Sequence, residues 1–178
     1  YIPYLDTSKE FKTKPAQNSV RDLRGLGISP DVLVVRSEKK APESVKTKLS
    51  LFSGVAPEAI ALLPNAQTIY EVPLTLEDTG LADVVADRLG IKVKKPNLKA
   101  WREVVKRAKA DYSKSVKVAV VAKYMDNQDT YMSVFEALRS ASWWNDTNIQ
   151  IDWVEAEEIQ KLEDAKKTLE KYDGILVP

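Results

Sequence analysis

Lys12 and Lys14 stand two residues apart in "FKTKPAQNSV" (11–20), followed at once by Pro15 and a helix start. In an extended stretch, residues i and i+2 point to the same side. Pro15 biases Lys14 toward that extended form. Two ammonium groups would then face one spot beside a helix N-terminus, whose free N–H groups and dipole favour an anion. This is a phosphate cradle. The same residues also describe a solvated lysine pair on a turn, the commoner use of such a pattern. Lys48 precedes the apolar Leu49 in "PESVKTKLSLF" (42–52) and so lies at the edge of a buried helix face. It is either a third cation converging on the first two or an ordinary exposed lysine. Arg36 closes the apolar run "DVLVV" (31–35). Ligands gather at the carboxyl ends of strands in open parallel sheets, where a guanidinium can stack on a base or pair with a phosphate. The plainer reading of Arg36 is a surface charge in a strand-to-helix loop. Lys123 and Tyr124 follow "SVKVAVV" in the same way, and Asp126 and Asp129 read as caps of the helix after them. Trp143 and Trp144 read as packing or interface residues, because no basic cluster surrounds them.

Composition removes several chemistries. The 178 residues include no cysteine and no histidine. Disulfides, thiolate nucleophiles, imidazole bases and His-ligated metals therefore cannot come from this chain. The absence of cysteine is compatible with a reducing compartment, and a cytoplasmic location is expected. Net charge is +1, so nothing in bulk electrostatics favours nucleic acid or an anionic membrane. No apolar run approaches the length of a membrane span, and "YIPYLDTSKE" has no signal-peptide pattern. Neither G-x-x-x-x-G-K-[ST] nor G-x-G-x-x-G occurs. Both ends read as cut: "YIPYL" opens like a strand under way, and "DGILVP" closes on an apolar run.

The elements that must position these residues alternate as in a parallel α/β protein. "NSVRDLRGLG" (18–27) reads as a helix capped by Ser19 and ended by Gly25 or Gly27. "DVLVV" reads as a strand buried on both faces. "PESVKTKLSLF" reads as a helix with Pro42 in its first turn and Val45, Leu49 and Phe52 on its inner face. "AIALL" (59–63) and "TIYEV" (68–72) read as strands, and 75–90 as a helix stopped by Gly90. The basic stretch 91–100 leads into a helix with Leu98, Trp101, Val105, Ala108 and Tyr112 on one stripe. Residues 115–124 read as a strand, and 127–142 as a helix with Tyr131, Val134, Leu138 and Ala141 inward. Residues 148–156 read as an alternating strand, 157–172 as a charged surface helix, and 173–178 as a final strand.

With these motifs in order, the chain closely resembles CTP synthase. "KTKPAQNSVRDLRGLGISPDVLVVRS" is similar to the family's KTKPTQ, serine-containing helix, G-x-x-PD and strand ending in Arg-Ser or Arg-Cys. "KLSLF" looks like K-I-x-[LM]-F, and "TIYEVPLTLEDTGL" like S-I-Y-x-[IV]-P-x-x-L. "VAVVAKYMDNQDTYMSVFEAL" looks like the opening of the family's glutaminase domain, and "DGILVP" like the strand before its oxyanion loop.

The resemblance implies a Rossmann-like, P-loop-type amidoligase part over 1–90, an interdomain linker with a helix over 91–114, and the first βαβ units of a class I glutaminase over 115–178. It implies ATP- and Mg²⁺-dependent amination of UTP to CTP, with ammonia drawn from glutamine. It further implies activation by GTP, inhibition by CTP at the UTP site, and a homotetramer. Carried over residue by residue, the UTP or CTP site includes Lys12, Thr13, Lys14, Ala16, Gln17 and Lys48, with Phe52 near the pyrimidine. Arg36 and the loop Pro64, Asn65 and Ala66 approach the adenine of ATP. Ala16 stands for the usual threonine, Ala122 for the usual glycine, and 64–66 depart from the family pattern. The P-loop, the metal carboxylates and the glutaminase nucleophile are expected outside these residues, so the chain alone is expected to be inactive. The rival expectation is a non-catalytic nucleotide-sensing or assembly module that keeps the pocket.

Overall fold

The computed structural model describes residues 1–124, 128–159 and 161–178. They form two compact units, Tyr1–Val105 and Lys106–Pro178.

The first unit opens with a short antiparallel hairpin, β1 (Tyr4–Leu5) and β2 (Glu10–Phe11). It is held by the edge-on packing of Tyr4 against Phe11, with ring centres 4.9 Å apart. Lys39 pins its turn through Asp6 at 2.8 Å. Helix α1 (Lys14–Gly25) follows directly. It starts at Lys14 rather than at 18, because Pro15 in the first turn has the fixed φ and missing N–H that suit that place. Ser19 is therefore not a cap; its hydroxyl donates to the Pro15 carbonyl at 3.1 Å from inside the helix. Past the end of α1, Gly27 takes a left-handed φ of 82°, and its N–H donates to the Arg24 carbonyl at 2.9 Å.

Strand β3 (Leu33–Ser37) pairs in parallel with β4 (Ile60–Pro64), Leu33 opposite Ile60 and Ser37 opposite Pro64. Ile2 joins the other side of β3 through a parallel bridge to Ser37. Between the strands runs α2 (Glu43–Ser53), with Pro42 as its N-cap. Ile2, Val35, Val45, Leu49, Val55 and Ile60 form one buried cluster. β3 is not buried on both faces: Val35 and Ser37 point into the core, while Val34 is 56% exposed. A parallel pair covered by helices on one side alternates like any half-buried strand.

Residues 68–72 are not a strand. The Thr68 hydroxyl accepts the Tyr70 N–H at 3.4 Å, which starts a single 3₁₀ turn, Ile69–Glu71. Helix α3 (Val72–Asp78) continues from it, with Pro73 in its first turn. The expected helix 75–90 is instead two, α3 and α4 (Leu81–Arg88), broken at Gly80, whose φ is 74°. Helix α5 (Lys99–Lys109) begins where Asn97 Oδ1 accepts the Lys99 N–H at 3.1 Å. The division between the units falls within α5. Tyr112 lies beyond that helix and donates its hydroxyl to the Arg107 carbonyl at 3.0 Å.

The second unit is a parallel three-stranded sheet, β5 (Lys114–Ala122) between β6 (Thr147–Glu155) and β7 (Gly174–Leu176). Ala119 and Val120 of β5 are both fully buried, so this strand is covered on both faces. Helix α6 (Met132–Trp144) follows a 3₁₀ segment, Gln128–Tyr131, and buries Ser142 and Trp143 near its end. Of the residues expected inward, Ala141 is exposed and Tyr131, Val134 and Leu138 are half-buried. Helix α7 (Leu162–Leu169) has no buried residue. Lys117, Asp152 and Tyr172 link all three strands or their approaches: Lys117 meets Asp152 at 3.1 Å, and the Tyr172 hydroxyl donates to Asp152 at 3.1 Å.

Leu49 is 1% exposed at the centre of the first core. We expect Leu49→Ala to lower unfolding stability by about 2–5 kcal/mol, read by urea denaturation. Val34→Thr on the open face should change it by no more than about 0.5 kcal/mol.

Candidate functional site

Hairpin, α1 and α2 enclose a cleft of about 350 Å³. Its walls include Lys9, Glu10 and Phe11 of the hairpin, Thr13 at the head of α1, and Ser44 and Lys48 of α2. Lys48 is there because Val45 and Leu49 are buried on α2. Residues around a helix are spaced about 100° apart, so burial of these two turns Lys48 to the rim. Lys12 is not itself on the wall; it meets the cleft through Glu10, to whose carboxylate it donates. The charge of Lys48 acts on that carboxylate as well.

Lys14 does not share this position. Thr13, between the two lysines, is in the helical region at φ −82° and ψ −11°, so 12–14 is not one extended stretch. Lys14 is the exposed first residue of α1. Thr13 is buried, and its Oγ1 accepts from Gln17 Nε2 at 3.0 Å, one helical turn on. Their side chains are thus paired with each other. Ala16 packs against the core cluster. The first turn of α1 holds no acidic residue and has no capping side-chain bond, so the positive end of its dipole is not neutralised from within. Phe52 is not inward; the residue is 58% exposed.

Arg36 and the 64–66 loop come together at the carboxyl ends of β3 and β4. Arg36 is opposite Leu63, Ser37 is opposite Pro64, and the Asn65 N–H continues the ladder to the Ser37 carbonyl at 2.8 Å. Asn65 and Ala66 are exposed. The exposed Arg36 guanidinium lies 5.5 Å from the centre of the Tyr1 ring, a stacking contact of the kind a base could also make.

Lys9, Glu10 and Ser44 were not foreseen as cleft residues. Glu10 carries a readable signal, since it alternates with Lys12 along the chain. Lys9 carries none, because its place depends on a left-handed φ of 52° in the hairpin turn. Glu10 is the single carboxylate among the described lining residues. Its pKa is held below the ordinary 4.5, first by the hydrogen bond from Lys12, then by one from Ser8, with the charges of Lys12 and Lys48 adding to them. No group of three or more His, Cys, Asp or Glu at metal-binding separation occurs among the described residues. With its single carboxylate engaged by lysine, the cleft does not fit a magnesium site.

In the second unit, Lys123 follows β5 and lies 4.0 Å from Glu157, and Tyr124 is exposed at a φ of 60°. Asp129 sits in the 3₁₀ segment, while the N-cap of α6 is Tyr131, with no side-chain cap bond. Asp126 lies outside the described residues. Trp143 is buried, and Trp144 lies under the Arg107 guanidinium at 4.6 Å. A cavity of about 370 Å³ lies between α6 and β6. The Ser142 and Thr147 hydroxyls on its wall each donate to a carbonyl, of Arg139 and Asn145, at 2.8 Å, and Arg139 is held by Glu136 at 3.1 Å. Among the described residues on its wall, these hydroxyls and Arg139 are already engaged.

A family model described as CTP synthase N-terminus matches residues 1–91. The similarity to individual proteins runs further. The CTP synthase of Shouchella clausii is 45% identical over 177 residues, which is 99% of this chain and 33% of that protein. The CTP synthase of Ruminiclostridium cellulolyticum is 47% identical over the same shares. That of Thermus thermophilus is 44% identical over 99% of this chain and 32% of its own length. The chain thus spans about a third of the curated relatives it matches.

Because the folded pKa of Glu10 is depressed, its ion pair contributes above the unfolded value near 4.5 and is lost as pH falls through the lower folded value. A ¹³C titration of the carboxyl should place the Glu10 midpoint below 4.5. Lys12→Ala should bring it back up.

Proposed function

Because the chain belongs to the CTP synthase family, we propose that it serves the amination of UTP to CTP, and that its own share of that work is to hold nucleotides. The observation that carries this reading is the cleft lined by Lys9 and Lys48, with Lys12 paired to the Glu10 on its wall, beside the uncapped head of α1. A triphosphate is the ligand such a place favours, since each ammonium can make a charge-assisted hydrogen bond to a phosphate oxygen. The dipole of α1 adds to the same field. Lys14, on the first turn of α1, meets the outer end of the phosphate chain. Gln17 and Thr13 supply polar contacts, Ala16 leaves room, and the exposed Phe52 meets the pyrimidine when CTP is bound.

The adenine of ATP takes the separate place at the ends of β3 and β4. Arg36 stacks on it, and the backbone of Pro64, Asn65 and Ala66 approaches its edge. That assignment needs no particular side chain at 64–66.

The bond-making steps belong to groups other than these. A chain with neither cysteine nor histidine has no thiolate to open glutamine and no imidazole to move its proton. In this reading residues 1–90 are the closing part of a Rossmann-like amidoligase domain, and the helix within 91–114 is its connection to the next domain. β5 to β7 begin a class I glutaminase. Activation by GTP, magnesium binding and assembly as a homotetramer belong to the same proposal, and the 178-residue chain alone binds without turnover.

The test is a calorimetric titration of UTP. Lys48→Ala should weaken binding by ~1–3 kcal/mol, the range for hydrogen bonds to charged groups, while ATP affinity responds to Arg36→Ala instead. Unchanged UTP affinity in Lys48→Ala removes the assignment.

A further inference from the structure

The carboxylate of Glu10 stands among the cations that are proposed to bind phosphate. It accepts from Lys12, it takes a hydrogen bond from Ser8, and it feels the charge of Lys48 on the facing helix. Donors from the hairpin and a cation from α2 thus surround one anionic group, as they would surround a phosphate oxygen. We propose that Glu10 is an internal substitute for the nucleotide phosphates, occupying the lysine cleft until a phosphate chain displaces it. The inference rests on the reading that this cleft binds a phosphate chain.

Three features favour displacement over a fixed structural pair. First, Glu10 lines the cleft itself, on the same wall as Lys9 and facing Lys48. Second, the pair is accessible: the side chains of Lys12 and Glu10 are 42% and 52% exposed. An ion pair so open to water is worth at most about fivefold in an equilibrium constant. A ligand with several negative charges that engages both lysines outweighs it. Third, Glu10 sits in a two-residue strand paired only with Leu5 across the hairpin. Its side chain can turn away without disturbing the core, of which it is no part.

The consequence is a charge threshold. With Glu10 in place, the cleft presents less net positive charge to an incoming ion. A monoanion competes poorly with a carboxylate already tethered beside Lys12. A triphosphate makes more contacts than the single carboxylate it replaces. Glu10 therefore lowers the affinity for both, and a triphosphate has the contacts to displace it where a monoanion does not.

The probes are inorganic tripolyphosphate, orthophosphate and UTP, titrated by calorimetry into the chain and into Glu10→Gln, with circular dichroism confirming the fold of each variant. Glu10→Gln should bind tripolyphosphate and UTP about three- to tenfold more tightly, from loss of the competing pair and of one repelling charge. In a Lys12→Ala background the same change should yield a smaller gain, because the cation that Glu10 occupies is gone. Equal or weaker binding of UTP by Glu10→Gln, with the unsubstituted chain binding UTP, overturns the substitute role and leaves the nucleotide reading standing. Absence of binding in both proteins overturns both.

Discussion

The cleft depends on how α2 meets the sheet. Val45, Leu49 and Ser53 lie four residues apart and form its buried stripe, against Val35 and Ile60 of the paired strands. Once Leu49 is buried, the directions of its neighbours are set: Lys48 turns to the hairpin side, and Phe52 turns out. A stripe of four-residue steps differs from one that ends three residues on, and the choice falls on Ser53 for reasons outside the helix. The Arg24 guanidinium donates to the Ser53 carbonyl, and Ser53 Oγ accepts the Val55 N–H at 3.2 Å. A cation at the end of a helix satisfies carbonyls that have no partner within it. Of the Ser53 contacts only the one with Val55 uses the serine side chain, and the Phe52 side is left exposed.

That choice shows what could be read from the residues and what could not. Helix α2, strands β3 and β4, the left-handed Gly27 and the strands of the second unit were legible, because apolar periodicity and glycine carry local information. The location of Lys48 was legible for the same reason. The place of Lys14 was not, because a proline has two opposite effects on the residue before it. Inside a chain it discourages helix there; in a first turn, as Pro15 is, it starts one. The β-branched run at 68–72 looked like a strand, but the Thr68 hydroxyl and Pro73 act locally and outweigh propensity over so short a segment. That Glu10 and Lys48 line the same cleft was out of reach, since it joins a hairpin to a helix far along the chain.

The two units use parallel pairing differently. β5 has partners on both sides and buries successive residues, so it reads as a continuous apolar run. β3 has β4 on one side and only the bridge from Ile2 on the other, and one of its faces is open. Composition cannot tell these cases apart, because "DVLVV" is as apolar as "KVAVV". Charge is also handled differently. In the second unit Lys117, Asp152 and Tyr172 satisfy one another across the sheet, and the depressed pKa of Asp152 follows from the hydrogen bonds of Gln150 and Lys117. In the first unit the cations gather around a single carboxylate at the mouth of a cleft. A closed network stiffens a sheet; an open one is available to a ligand.

The lack of histidine and cysteine has a consequence for the hairpin cleft. No ordinary side chain changes charge between about pH 5.5 and 8 without one of them. Glu10, whose pKa the Lys12 hydrogen bond holds below the ordinary carboxylate value, stays anionic throughout that window. Protons are thus not the natural control of this site. Its exposed charges sit within reach of the ionic atmosphere, which thins to about 8 Å at physiological salt. If it holds phosphate as proposed, the cleft acts as an ion exchanger whose occupancy is set by the mixture of anions around it. The surrounding levels of chloride, carboxylates and polyphosphates, more than acidity, would decide what it holds.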